Sequence, residues 1–404
     1  MSHTQSDAPV ELSIVMPCLN EADTLETCLR KAQQILHDHE IAGEVIVADN
    51  GSTDGSLDIA VRMGVRVVHV TQKGYGHALM AGISAAHGKF VLMGDADDSY
   101  DFLETPKFLT KLREGFELVQ GCRLPAGGGT VLPGAMPWSH RWIGNPGFSL
   151  MARWMFHAPI HDAYCGMRAF KKELFHQLDL RCTGMEFATE MILKSGVFHV
   201  RTAEVPITLH PDGRINRAPH LRTIRDGWRT LRLYLLFSPR WLFMYPGLLL
   251  ILMGLFGYAV ALPGTTVRQV TFDAHTLLFA SLALLMGYQA VLFGIFAKTL
   301  AVNEGLLPKG PAYTRFYQIM NLERGLALGA LAFLAGLVLL VGAVLQWRAA
   351  GFGRLDYAHT MRWVVPGVTL AALGFQTILS GFFVSLLGMK TSIRPTSGSE
   401  KNQS

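Results

Sequence analysis

Four uncharged, apolar stretches occupy the carboxyl-terminal part of the chain, at residues 241–262, 277–296, 325–347 and 363–388. Each reaches the roughly 20 residues that an α-helix needs to cross the hydrocarbon core of a bilayer. A single run of this kind suits a buried core helix, but four in succession are hard to fit into a soluble domain. They predict four transmembrane helices and account for a composition that is half apolar with only 17% charged residues. A length of 404 residues fits two or three domains.

Residues 1–11 are polar and lack the basic-then-apolar pattern of a signal peptide, so the first 240 residues are expected on the cytoplasmic side. Arg214, Arg217, Arg222, Arg225, Arg229, Arg232 and Arg240 precede the first span, with Asp226 the only acid among them. A basic flank stays on the cytoplasmic side and is drawn to anionic headgroups. Arg348, Arg354 and Arg362 fall in an expected external loop and run against this bias. Four spans would return the C-terminus to the cytoplasm, a topology suited to a bacterial inner membrane. Arg222, Arg225, Arg229 and Arg232 share one helical face, while Ile224, Trp228, Leu231 and Leu235 share another, as in an interfacial helix. The lipid bilayer is therefore an expected partner, and nucleic acid is not. Gly325-x-x-x-Gly329 permits close helix packing, within the chain or in a homo-oligomer. Five scattered cysteines without metal-ligand spacing read as free thiols.

Ahead of the spans, short apolar runs alternate with helical patterns. Strands are expected at residues 12–16, 44–48, 65–70 and 88–95, with helices to about Leu36, Met63 and Ala86. Gly74-Tyr75-Gly76 reads as a turn before the third helix. Such alternation indicates βαβ units and a mostly parallel sheet. The run ending near Asp95 is followed by Asp97 and Asp98. Carboxylates at the carboxyl end of a parallel strand lie where open α/β sheets bind ligands. Asp95 and Asp97 leave an extended segment on the same side and can converge on one hard divalent cation, which favours oxygen ligands. An isolated Asp-x-Asp reads first as an acidic loop after a strand.

Four segments fall in a telling order: Val15-Met-Pro-Cys-Leu-Asn-Glu, Val47-Ala-Asp-Asn-Gly-Ser-Thr-Asp-Gly-Ser, Lys73-Gly-Tyr-Gly-His-Ala and Gly94-Asp-Ala-Asp-Asp. Over residues 12–217 the chain resembles the inverting family 2 glycosyltransferases of GT-A fold. Within them it is similar to the dolichol-phosphate mannose or glucose synthases and bacterial polyprenyl-phosphate glycosyltransferases.

The resemblance implies a nucleotide-sugar pocket lined by Pro17, Asn20 and Glu21, with Asp49 at the base. It implies that Asp95 and Asp97 hold the ribose region and a Mg²⁺ or Mn²⁺ bridging the donor diphosphate. Ser99 stands where mannose synthases of the family often carry Gln. Arg123 matches an arginine facing the acceptor phosphate, and Arg141 with Asn145, four residues apart on one helix face, matches an Arg and a small polar residue with the same task. Asp162 corresponds to an acidic residue near the acceptor or sugar and is, with Asp97, the expected catalytic pair. Arg214 and Arg217 match a basic loop that closes over the diphosphate in relatives. Glu186 and Glu190 lie on one helix face, either an exposed acidic face or contacts to sugar hydroxyls.

The expected organisation is a GT-A α/β domain over residues 1–217, an amphipathic helix over 218–240, a four-helix membrane domain over 241–390 and a polar tail over 391–404. The expected reaction moves a hexose from UDP- or GDP-hexose to undecaprenyl or dolichyl phosphate with inversion. The alternatives are transfer to another membrane-associated acceptor, or a non-catalytic membrane protein that binds or transports nucleotide sugars.

Overall fold

The computed structural model describes residues 9–214 and 223–389 and divides them between two compact units, separated after Phe237. Arg217, Arg222 and the tail from residue 390 lie outside the described residues.

The first unit runs β1 Leu12–Cys18, α1 Leu25–Asp38, β2 Gly43–Asp49, α2 Ser56–Arg62, β3 Arg66–His69, α3 Tyr75–Ala85, β4 Phe90–Met93 and α4 Thr105–Arg113. It continues with β5 Leu118–Cys122, β6 Thr130–Val131, α5 Asn145–Phe156, β7 Arg168–Lys171, α6 Lys172–Leu178, α7 Glu186–Val197, β8 Thr202–Pro206, β9 Thr208–Leu209 and α8 Thr223–Leu236. Seven strands form one sheet in the order β3-β2-β1-β4-β7-β5-β8, with β7 antiparallel to both neighbours and the other pairs parallel. Alternation along the central strands builds a core on each face. Leu12, Ile14, Met16, Phe90 and Leu92 face α1 and α4, while Val15, Val91 and Met93 face the layer holding α3, α6 and α7. Helix α1 buries Leu25, Cys28, Leu29, Ala32, Ile35 and Leu36, the spacing expected of one apolar stripe.

Three local expectations need correction. β4 ends at Met93, so Asp95 lies in the following loop, and α3 begins at Tyr75 inside the supposed turn. Helix α8 belongs to the first unit. It buries Thr230, Leu233 and Tyr234, a face distinct from Trp228, Leu231 and Leu235. The Tyr234 hydroxyl donates to the Phe148 carbonyl at 3.1 Å, and its ring packs edge-on against Phe156. Trp228 and Leu236 remain exposed.

The second unit holds α9 Tyr245–Ala261, a short hairpin of β10 Thr266–Val267 and β11 Val270–Thr271, α10 Ala274–Asn303, α11 Pro311–Ile319, α12 Leu322–Ala349 and α13 Tyr357–Gly388. A π-turn over Arg240–Met244 extends α9 at its start. Four of these helices are long and apolar enough to cross a membrane. With no water to drive helix association in lipid, close packing of small residues takes over. Gly329 and Gly336 of α12 pack against Gly374 and the Gly367–Ala371 turn of α13, whereas a side chain at Gly325 would meet open space. The motif that brings α12 to α13 is therefore spaced by seven residues, and Gly325 is not part of it. Tyr258, Ser281 and Thr369 join α9, α10 and α13 through hydroxyl hydrogen bonds of 2.7 and 3.0 Å.

Candidate active site

The carboxyl ends of β1, β2 and β4 converge on a group of acidic side chains. At the end of β2, Asp49 is buried and accepts from the backbone of Gly51 and Ser52, both at 3.0 Å. Its carboxylate shapes the 50–56 loop from beneath. Asn20 sits at φ 61°, and its side chain accepts from Thr53 N at 2.7 Å. Asn tolerates this left-handed conformation better than most residues. Glu21 N donates to Ser56 Oγ at 2.8 Å. Pro17, Asn20, Glu21 and Asp49 are thus brought together where β1 and β2 end.

Asp95 and Asp97 flank Ala96 in the loop after β4. Burial, then the like charge of Asp97, pushes the Asp95 carboxyl up to about 6. The Tyr75 hydroxyl donates to Asp95 Oδ1 at 2.8 Å, and burial together with Asp95 holds that phenol well above its ordinary value, so it stays a donor. Asp97 Oδ1 accepts from Ser99 N and Oγ at 3.1 and 2.6 Å. Arg214 forks onto Glu21 at 2.7 and 2.6 Å and lies 3.6 Å from Asp97 Oδ2. Among the described residues no three His, Cys, Asp or Glu side chains cluster as a metal site. Asp95, whose ionisation is disfavoured by burial and by the neighbouring Asp97, fits with Asp97 as a pair of oxygen ligands for a divalent cation, which would offset that cost and take further oxygens from a diphosphate.

Tyr75 was not singled out from sequence, although it stands between the glycines that admit it. A Cβ at Gly74 (φ 141°) would lie 2.5 Å from Thr183 O, and one at Gly76 would lie 2.5 Å from Cys182 O. The 182–184 loop is in turn held by Glu190, which accepts from Arg181 N and Cys182 N at 2.9 and 2.7 Å. Lys194, fully buried, pairs with Glu190 at 2.9 Å. Glu190 therefore supports the loop from inside and does not form an exposed acidic face. Glu186 is partly buried, 3.9 Å from Arg229 of α8.

On the other side of β4, Arg123 and Asp162 form a buried bidentate pair. Asp162 is fully buried and accepts Arg123 Nε at 2.7 Å, its NH2 group at 2.9 Å and its backbone N at 3.0 Å. Both carboxylate oxygens are thereby taken. Arg123 also donates to the Tyr100 hydroxyl at 3.3 Å. Arg141 differs. It lies in a π-turn, His140–Gly144, that leads into α5, and its Nε is buried without a hydrogen-bond partner. π-Turns inside helices recur at functional sites. Asn145 follows one turn later and among the described residues its side chain donates to Met136 Sδ, at 3.4 Å. Trp142, Ile143, Leu150 and Trp154 line the outer face of the same helical segment, each more than half exposed. Arg168 is fully buried, with its two terminal nitrogens on the carbonyls of Ala188 and Cys165 and no carboxylate partner among the described residues. The sequence offered no sign that it stands alone.

Residues 13–179 match the model of glycosyl transferase family 2, and residues 295–388 match that of the glycosyltransferase family 2 C-terminal transmembrane region. The chain is 36% identical, over 95% of its length and 90% of the relative's, to the low-salt glycan biosynthesis hexosyltransferase Agl6 of Haloferax volcanii. It is 33% identical to a dolichyl-phosphate hexose transferase of the same organism, over 49% of this chain and 82% of that one. A crystal structure of glucosyl-3-phosphoglycerate synthase from Mycobacterium tuberculosis aligns with a TM-score of 0.43 and 22% identity, over 56% of this chain and 77% of that one. The chain is an enzyme that belongs to the family 2 glycosyltransferases, with that family's C-terminal transmembrane region.

Proposed function

We propose that this transferase moves a hexose from UDP- or GDP-hexose to a polyprenyl phosphate, with inversion at the anomeric carbon. The observation that carries this reading is Arg141. An unpaired buried guanidinium nitrogen sits beside an exposed apolar stripe of Trp142, Ile143, Leu150 and Trp154. An acceptor with an anionic head and a hydrocarbon tail suits both features. The hexosyltransferase and dolichyl-phosphate hexose transferase names of two relatives agree with it.

On the donor side, Pro17, Asn20, Glu21 and Asp49 would cradle the nucleotide. Asp95 and Asp97 would hold Mg²⁺ or Mn²⁺, which offsets the charge gathering on the diphosphate as the sugar bond breaks. Arg214, already among the carboxylates, would turn to the diphosphate, joined by Arg217. On the acceptor side the nucleophile needs little activation. A phosphate monoester has a second pKa near ~6 and is an anion at neutral pH. Arg141, with Asn145, would position it for in-line attack, and positioning alone supplies a large part of such a barrier. Asp162 would act through Arg123 and abstract no proton, because both of its oxygens are occupied. Helix α8, with Trp228 and Leu236 outward, would hold this side at the bilayer surface, with the catalytic unit and the C-terminus in the cytoplasm.

Incubating the full-length protein in nanodiscs with polyprenyl phosphate and labelled UDP- or GDP-hexoses tests the reading. A labelled glycolipid is expected, and Arg141→Ala should raise the acceptor KM roughly ten-fold or more through loss of a charge-assisted hydrogen bond, with the donor KM little changed. Absence of product with every donor, or an Arg141→Ala effect confined to the donor, would overturn it.

A further inference from the structure

The membrane unit carries a pair of cations with no assigned task. Close contacts fix the register of the antiparallel helices α9 and α10. A Cβ at Gly247 would lie 2.8 Å from Gly287 O, and one at Gly254 would lie 2.7 Å from Ala280 O. At the other end, a Cβ at Gly294 would lie 2.8 Å from Met244 Sδ and 3.3 Å from the Phe243 side chain. Arg240 precedes Met244 by four residues and Lys298 follows Gly294 by four, so both lie near this end of the pair. Arg240 is the charged neighbour of Lys298. Lys298 Nζ makes one long hydrogen bond, 3.4 Å to the Pro308 carbonyl, and among the described residues neither cation pairs with a carboxylate.

Like charges brought together at the edge of a low-dielectric medium repel, and an anion between them relieves that repulsion. We propose that Arg240 and Lys298 form a binding site for a lipid phosphate, at the end of α9 and α10 where the chain enters the membrane domain. The chemistry fits that depth. Phosphate is the anion that a bilayer presents where hydrocarbon gives way to headgroups, and basic pockets between transmembrane helices take such groups. Arginine offers a planar fork to two phosphate oxygens, and lysine adds a point charge. The phosphate has two sources: the phosphodiester of an anionic phospholipid, or the monoester of polyprenyl phosphate. The second source rests on the function proposed above, and the first does not.

Full-length protein in mild detergent, melted with increasing phosphatidylglycerol or polyprenyl phosphate, provides the test. Diacylglycerol and polyprenol serve as phosphate-free controls. A ligand that binds only the folded state raises the melting temperature, so wild type should respond to a phosphate-bearing lipid and not to the controls. Arg240→Gln and Lys298→Met should each weaken that response roughly ten-fold or more in lipid concentration, as expected for loss of a charged hydrogen bond. Lys298→Glu should close an internal ion pair with Arg240, melt above wild type without lipid and ignore both phosphates. Lys298→Arg should keep the response. A response to phosphatidylglycerol alone assigns the site to a headgroup, and one to polyprenyl phosphate alone assigns it to the acceptor lipid. If hexose transfer to polyprenyl phosphate fails while the phosphatidylglycerol response holds, the site stands without the proposed reaction. No response by wild type, equal responses to the controls, or an unchanged response in Lys298→Glu would overturn the proposal.

Discussion

Replacing Asp162 by Asn tests whether this carboxylate serves the chemistry or the fold. The substitution is nearly isosteric, yet it leaves Arg123 as an uncompensated cation with only 9% of its side chain exposed. Three Arg123 nitrogens donate to Asp162 at 2.7, 2.9 and 3.0 Å, and the Tyr100 hydroxyl at 3.3 Å is the further acceptor within reach. Breaking one side of a buried ion pair costs about 3–5 kcal/mol. For a unit of this size, where 1 kcal/mol moves the melting temperature by about 2–4 °C, the expected drop is ~6–20 °C. Replacing both partners by apolar residues of similar volume, Arg123→Met with Asp162→Leu, should recover at least ~2 kcal/mol of that loss, because no charge is then left unpaired. Thermal melts of the full-length protein, read beside transfer activity on the same samples, separate the two roles. An Asp162→Asn protein that melts with wild type yet transfers no sugar would refute the argument and return Asp162 to the reacting groups.

Asp97→Ala should abolish transfer, by a factor of 10² or more for loss of an electrostatic contact to the leaving group, with an unchanged melt; transfer surviving in excess chelator would contradict this. Tyr75→Phe removes one hydrogen bond to Asp95 and should raise the divalent-cation concentration needed for half-maximal activity roughly ten-fold, with little change in the acceptor KM; an unchanged metal titration would show that Asp95 needs no such support. In the membrane unit, Gly336→Leu should lower the melting temperature because any side chain there falls inside van der Waals contact of the Ala371 backbone, whereas Gly342→Ala, facing open space, should be neutral. Equal effects at the two glycines would show that α12 and α13 do not pack as described.

Much of the catalytic unit was legible because its elements obey simple periods. β4 is a continuous apolar run and β1 nearly so, interrupted by Ser13, as suits strands buried on both faces, and α1 shows one apolar stripe. The four spans were legible from length alone. The errors cluster where polar or small residues do structural work. Thr230 and Tyr234 dock α8 onto the catalytic unit, but a search for apolar spacing passes over both. The glycines that join α12 to α13 recur every seven residues, so a search for four-residue spacing picks Gly325 instead. The 123–162 pair was hidden differently. Its members lie 39 residues apart, and each side chain alone resembles a group waiting for substrate.

That pairing bears on how the site divides its labour. A carboxylate and a guanidinium drawn to the same place by function are also the pair most able to satisfy each other when buried. Sequence cannot tell an arginine that awaits a phosphate from one already spent. The structure separates them by their partners: every side-chain nitrogen of Arg123 has a partner in Asp162 or Tyr100, while Arg141 keeps a buried nitrogen without one. The two arginines are then not equivalent contacts. Arg123, fixed by Asp162 beneath it, stiffens the floor between β5 and the 162–166 segment, on which Tyr100 also accepts from Gly166 N at 2.8 Å. Arg141 stands on a π-turn with its guanidinium 5.3 Å over the exposed Trp142 ring and no carboxylate partner among the described residues. The phosphate nucleophile proposed above, already ionised at neutral pH, would need positioning by such a cation over a fixed floor and no general base.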